Sequence, residues 1–242
     1  MPTAAFIAIG DEILSGKFAD QNSPYMIRRL REQGVDLKRI VVVPDEVQAI
    51  ADEVRRCSRA FDHVFTSGGV GPTHDDITLE AVAQAFGEEL VLFSEVLELL
   101  QRRYGQNIPE PALRMARLPK SAELHWEEGL KFPLVSVRNV FVFPGVPSFL
   151  QIKFEAGAYR WTGSPIHIAR VYTSKSEVSI ADILSEAQSR WPSVAVGSYP
   201  RFEADTFHVI ATIEGREKEA VEHCADWLKS ALGEPLSPTP SQ

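Results

Sequence analysis

The sequence predicts an α/β fold built on a mostly parallel sheet, followed by a smaller α/β unit. Three observations carry this. Short apolar runs with strand character alternate with amphipathic helical stretches through the first part of the chain, the pattern of βαβ units. A stretch over 159–165 that includes Gly163 and Pro165 then reads as a linker. Beyond it a simpler strand–helix–strand–strand–helix pattern predicts a small α/β sandwich of the ferredoxin-like kind.

Residues 4–9 form an apolar strand that stops at Gly10-Asp11-Glu12. Ser23-Pro24 starts a helix with Met26, Ile27 and Leu30 on one face and Gly34 as its stop. The β-branched run over 39–43 predicts a buried strand, broken by Pro44-Asp45. Asp45 is placed to cap the next helix, whose apolar positions Val47, Ile50, Ala51, Val54 and Cys57 follow the helical period. Residues 63–66 predict the third strand, and Leu79, Val82, Ala83 and Phe86 one face of the helix that follows.

Between these two elements lies the stretch around which the chain is organised, Ser67-Gly68-Gly69-Val70-Gly71-Pro72-Thr73-His74-Asp75-Asp76-Ile77-Thr78. Its glycines free the backbone to adopt positive φ and to bring N–H groups against a ligand. A loop of this kind at a helix N-terminus binds anions, phosphate above all. Paired carboxylates on the same loop would repel bare phosphate unless a divalent cation lies between them or one of them activates water. The alternative is a tight turn whose acids cap the next helix. Ligands of open α/β sheets bind outside the carboxyl ends of the strands. Asp11 and Glu12 follow the first strand, Asp45 the second, and Asp75 and Asp76 the third, so all of these acids fall at one edge.

Two helices are predicted over 94–104 and 110–117, divided at Asn107-Ile108-Pro109, and a β-hairpin or two short strands over 134–143 around Arg138-Asn139. The hairpin ends in Phe143-Pro144-Gly145-Val146-Pro147-Ser148, a fourth strand-end loop, and a helix over 148–157 follows. In the second unit, strands are predicted over 166–173, 194–199 and 207–213, with helices over 178–190 and 217–232. Gly197-Ser198-Tyr199-Pro200 is read as a packing turn. The Pro- and Ser-rich tail over 234–242 is predicted to be disordered.

With 242 residues, 44% of them hydrophobic, the chain can build one large or two modest cores. Its formal net charge of −8 argues against a nucleic-acid partner, which needs a basic face. Two cysteines, Cys57 and Cys224, lie far apart within amphipathic stretches, as reduced core residues of a cytoplasmic protein would. No export signal and no apolar run long enough for a membrane span is visible.

Gly10-Asp11-Glu12 with Asn22, Asp45 and the run from Gly68 to Asp76 resembles the molybdopterin-binding domain of molybdenum-cofactor biosynthesis proteins. The Gly-Pro-Thr-x-Asp-Asp form is most similar to the branch that contains competence/damage-inducible protein A and the N-terminal half of eukaryotic FAD synthase. His74, the stretch from Leu134 to Pro147, residues 183–188 and Gly197-Ser198-Tyr199-Pro200 are closest to the FAD synthase form. The resemblance implies a three-layer α/β sandwich over 1–162 and a small subdomain over 163–233. It also implies metal-dependent hydrolysis of a nucleotide pyrophosphate, either FAD to FMN and AMP or ADP-ribose to AMP and ribose 5-phosphate. It implies a dinucleotide or pterin ligand and a homo-oligomer, dimer or trimer. The sequence shows neither the adenylyl-transferring domain of FAD synthase nor the amidohydrolase domain of the bacterial relatives, so neither activity is expected. The alternative is a non-catalytic module that binds molybdopterin or a nucleotide.

For hydrolysis, Asp76 and Asp45 are the expected metal ligands or water-orienting groups, assisted by Asp11, Glu12 and Asp75. The expected metal is Mg, Mn or Co, with a monovalent cation as a further candidate. The loop carries no Lys or Arg, so a cation must supply the positive charge. Ser67, Gly68, Gly69, Gly71 and Thr73 would cradle phosphate, with Thr66, Pro72, Asn22, Gly145 and Pro147 completing the nucleotide site. His74 is placed either to protonate a leaving phosphate or as a spectator. Asp76→Asn is expected to abolish turnover with the fold intact. Phe18, Tyr25, Phe143 and Trp161 are aromatic candidates for stacking on the ligand or for the core.

Overall fold

The structure, a computed structural model, describes residues 1–201 and 208–233, and the chain divides into two compact units, Met1–Gly163 and Ser164–Gln242. In the first, β1 (Thr3–Ile9) leads through a single helical turn, α1 (Asp11–Leu14), into α2 (Asn22–Glu32). Then follow β2 (Asp36–Val43), α3 (Val47–Ala60), β3 (His63–Ser67) and α4 (Thr78–Phe86). A peripheral stretch comprises β4 (Leu90–Leu92), α5 (Ser94–Tyr104), α6 (Glu110–Arg114) and β5 (Arg117–Pro119). The unit closes with β6 (Glu123–His125), β7 (Leu134–Val137), β8 (Val140–Phe143) and α7 (Pro147–Gly157).

The main sheet has the order β2-β1-β3-β8-β7-β6. β2, β1, β3 and β8 run parallel, and β7 is antiparallel to both its neighbours. β1 sits inside the sheet, and its six residues after Thr3 are all buried. Because side chains alternate along a strand, Ala4, Phe6 and Ala8 enter one core and Ala5, Ile7 and Ile9 the other. The first core holds Met26 and Leu30 of α2 with Leu150 and Phe154 of α7, and the second holds Ile50 and Val54 of α3 with Val82 of α4. Helices therefore cover both faces, which makes the three layers.

Four expectations need correction. β2 is an edge strand with only Val43 fully buried, because it has a partner on one side alone. Ile27 is 46% exposed, since α2 turns only its Met26–Leu30 face to the core. The helix expected to reach residue 117 stops at Arg114, and Arg117 instead pairs with Leu92 in a two-stranded sheet. Trp161, placed in a linker by the sequence, is fully buried, with ring centroids 5.0 Å from Phe65, Phe141 and Phe154. Phe143 is also core, whereas Phe18 is exposed.

The β7–β8 hairpin turns at Arg138, which takes a φ of 55°. Asn139 ties this turn to the end of α3: its Nδ2 donates to the carbonyls of Ser58 (3.0 Å) and Phe61 (2.8 Å), and its Oδ1 accepts from Ser58 Oγ (2.6 Å). Asn139→Ala leaves two carbonyls and a hydroxyl without this partner. It is expected to cost about 1–3 kcal/mol, read as a lower denaturation midpoint at unchanged m-value.

The second unit contains β9 (His167–Thr173), α8 (Glu177–Arg190), β10 (Val194–Pro200), β11 (Val209–Gly215) and α9 (Lys218–Leu232). Its sheet is antiparallel, order β10-β11-β9. Ile180 and Ala187 of α8 and Cys224 and Leu228 of α9 pack with Ala211 and Ile213. Among the described residues this βαββα order with the third strand in the middle matches the first five elements of the ferredoxin-like arrangement. Phe207 and the tail expected over 234–242 lie outside the described residues. Cys57 and Cys224 are buried free thiols. Among the described residues no helix is long and apolar enough to cross a membrane.

Candidate functional site

Parallel pairing of β2, β1, β3 and β8 brings the segments that follow them to one edge. Their backbones are stitched together there. Gly10 N donates to Val43 O (3.2 Å), Gly68 N to Phe143 O (3.2 Å) and Thr78 N to Gly69 O (3.0 Å). Asn22 begins α2 beneath this edge, where Asp20 Oδ1 accepts from the N–H groups of Asn22 (2.9 Å) and Ser23 (3.0 Å). The Asn22 Nδ2 donates to Ser67 Oγ (2.9 Å) and to Gly145 O (2.7 Å), joining the ends of β3 and β8.

These contacts divide the expected phosphate-binding residues into two sets. Asn22, Thr66, Ser67 and Gly68 are buried under the loop. Thr66, at 0% exposure inside β3, is walled off from any ligand, and Asn22 and Ser67 act by positioning the loop. Gly69, Gly71, Pro72 and Thr73, with Gly145 and Pro147 of the neighbouring loop, reach the surface fully or in part.

The carboxylates divide as well. Asp11, Glu12, Asp45 and Asp75 line one cavity of about 600 Å³ together with Ser15, Lys17, His74 and Ile77. Asp45 does not cap α3, which starts without a side-chain cap; its Oδ2 instead accepts from Asp11 N at 2.9 Å. Half-burial pushes the Asp45 carboxyl up, and the carboxylates of Glu12, Asp11 and Asp75 add to this, against the opposing Asp11 N–H bond. Asp75 goes the other way: the Thr73 hydroxyl, followed by a backbone N–H, holds its carboxyl below the usual range.

Asp76 does not line this cavity. Its Oδ2 accepts from Thr73 N (2.7 Å) and Thr73 Oγ1 (2.6 Å), and lies 2.7 Å from where a Cβ on Gly71 would be. Asp76 thus closes the loop on itself, and the centre of the acidic cluster is Asp45. The His74 side chain is 94% exposed, 3.9 Å from Asp75. Among the described residues no three His, Cys, Asp or Glu side chains converge closely enough to hold a metal by themselves. Sequence reasoning missed Ser15 and Lys17; their position in the loop after β1, beside Asp11 and Glu12, was the available signal.

Residues 5–160 match the family described as "probable molybdopterin binding domain". The chain belongs to this molybdopterin-binding domain family. Residues 165–237 match a second description, "FAD synthase, middle domain". Relatives of this chain include a protein of Archaeoglobus fulgidus, 35% identical over 94% of this chain and 97% of that one. A "Probable FAD synthase" of Caenorhabditis briggsae is 33% identical over 95% of this chain, which spans only 49% of that relative. A crystal structure of the protein CinA, of unknown function, from Thermoplasma acidophilum aligns with a TM-score of 0.62 and 28% identity, covering 66% of this chain and 98% of that one. The mostly parallel α/β sandwich is therefore the fold of the molybdopterin-binding domain family.

Proposed function

We propose that the first unit hydrolyses the pyrophosphate bond of a dinucleotide, with FAD as the substrate and ADP-ribose as the nearest competitor. The observation that carries this is Asp45, a half-buried carboxylate with a raised pKa, set among three other acids beside a glycine loop. A carboxylate tuned upward is suited to take a proton from water. The names of the worm relatives and of the second matched family support FAD.

In this reaction a water oxygen forms a bond to one phosphorus as the bridging P–O bond breaks. FMN and AMP leave, and Asp45 accepts the proton of the attacking water. The N–H groups of Gly69 and Gly71 would face the phosphates, while Asp76 occupies the Thr73 N–H and keeps the loop in register. The donor set fits a hard divalent cation such as Mg, which takes one or two carboxylates and fills its remaining positions with phosphate and water. One or two of Asp11, Glu12 and Asp75 would contribute to holding it beside Asp45, with phosphate and water completing its shell, and it would supply charge neutralisation on the pyrophosphate.

The test is to incubate the chain with FAD, ADP-ribose and NAD, each with Mg, Mn or Co and then with EDTA, and to separate the products. FMN and AMP appearing with metal and disappearing with EDTA is the expected result. Folded protein that binds the nucleotides but releases no product under any metal would overturn hydrolysis in favour of a binding module.

A further inference from the structure

A second cavity borders the glycine loop at Val70. Within the first unit, a space of about 500 Å³ opens beside Val70, lined by Phe132 and Ile152 among other apolar side chains. That volume lies in the ordinary range for small-molecule sites. Three cationic side chains reach it, Arg103 of α5, Lys131 before β7 and Lys153 of α7, and among the described residues no Asp or Glu lines it. In a chain of net charge −8 this is a reversal of the local balance.

Lys153 is the distinctive member. Its ammonium donates to the Pro133 carbonyl and lies 5.1 Å from the Phe132 ring centroid, with no carboxylate paired to it among the described residues. Burial alone pushes its pKa down to about 8. An ammonium held in apolar surroundings without a counter-charge is costly, and an electron-rich ligand would relieve that cost. The loop contributes Val70 to this cavity and His74, Asp75 and Ile77 to the acidic one, so both cavities border the same loop.

We propose that the apolar cavity is a ring subsite that takes the isoalloxazine of a flavin nucleotide, with Lys153 donating to an acceptor on the ring edge and Arg103 and Lys131 facing its phosphate side. A fused heteroaromatic ring matches the apolar walls, and its carbonyl and nitrogen acceptors match the part-buried ammonium of Lys153. This rests on the dinucleotide reading above and deepens it, because the subsite would separate FAD from ADP-ribose, which carries no second ring.

The experiment is metal-free titration calorimetry of the full chain with FMN, FAD, AMP and ADP-ribose, on the wild type, Lys153→Met and Ile152→Trp. Lys153→Met removes the charge at similar length. Ile152 is 55% exposed at the cavity wall, so a tryptophan there obstructs the cavity without entering the core. Both variants are expected to weaken FMN and FAD at least about tenfold, as loss of a charged hydrogen bond does, while AMP and ADP-ribose are unchanged. Equal FMN affinity in all three proteins overturns the subsite, as does an equal loss for AMP. If the wild type binds no FMN, and sedimentation shows a dimer that Ile152→Trp dissociates, the cavity belongs to a second copy and the proposal fails. The two proposals fail separately. Selective flavin loss in a protein with no turnover keeps the subsite and removes hydrolysis. FAD cleavage with unchanged KM in both variants keeps hydrolysis and removes the subsite.

Discussion

Asp45→Asn is expected to lower FAD turnover by about 10²–10⁴-fold, the range for loss of a positioned general base, and at the same time to raise the melting temperature. Both effects have one cause. Burial and the carboxylates of Glu12, Asp11 and Asp75 hold the Asp45 carboxyl above its ordinary range. In the unfolded chain it ionises at the ordinary value near 4, so between the two values the native state holds the extra proton. Stability then falls as pH rises through that window, and the full penalty remains above it. Asparagine keeps an oxygen to accept the Asp11 N–H and carries no charge, which removes the penalty.

The gain is a rise in melting temperature that is present only where Asp45 is ionised in the wild type. It should open as pH rises from about 4. Product chromatography and scanning calorimetry on the same preparation check both halves. Retained turnover would remove Asp45 from the centre of the mechanism. A fall in melting temperature would show that the Asp45–Asp11 contact serves the fold and that the acids carry no strain.

The parts of the fold that a local pattern specifies were legible. The alternation of Ala4 to Ile9 on β1 and the helical spacing of Ile50, Val54 and Cys57 on α3 each follow from one element's own periodicity. What escaped depends on neighbours brought in by topology. Nothing in residues 39–43 announces that β2 has a single partner, and only that makes it half-exposed. Trp161 reads as linker because the aromatic rings that enclose it come from β3, β8 and α7.

The site divides in the same way. Shared strand direction was enough to gather Asp11, Glu12, Asp45 and Asp75. Asp76 looked equivalent to Asp75 in sequence, yet the loop's internal bonds to Thr73 turn it to another use. Lys153 carried no signal at all, since a lysine on an amphipathic helix ordinarily faces water, and only the apolar walls from α5, β7 and the segment before it make it unusual.

Gly68→Ala is the second large effect, and here the expected loss is of both stability and turnover. Gly68 holds a φ of +115°, and a Cβ there would lie 2.1 Å from the Ile9 carbonyl oxygen, a contact no rotamer can relieve because both partners are backbone. The same residue donates to Phe143 O and accepts from Thr78 Oγ1 at 2.8 Å. The ends of β1, β3 and β8 and the start of α4 therefore meet on one residue without a side chain.

Overpacking and backbone strain each cost about 1–3 kcal/mol, so the variant is expected to lose about 2–6 kcal/mol. The control is Gly87→Ala, at the left-handed end of α4 with φ +68° and nothing within 4 Å of an added Cβ. That change carries only the backbone term, about 1–2 kcal/mol. Denaturation midpoints for the two variants then isolate the Ile9 contact, and equal losses would show that β1 and β3 can separate at little cost. If they cannot, the wider consequence is for the site. The approach of Gly68 to Ile9 sets how far the glycine loop lies from Asp11 and Glu12, so a methyl group at residue 68 would displace the loop N–H groups proposed to face phosphate from those acids.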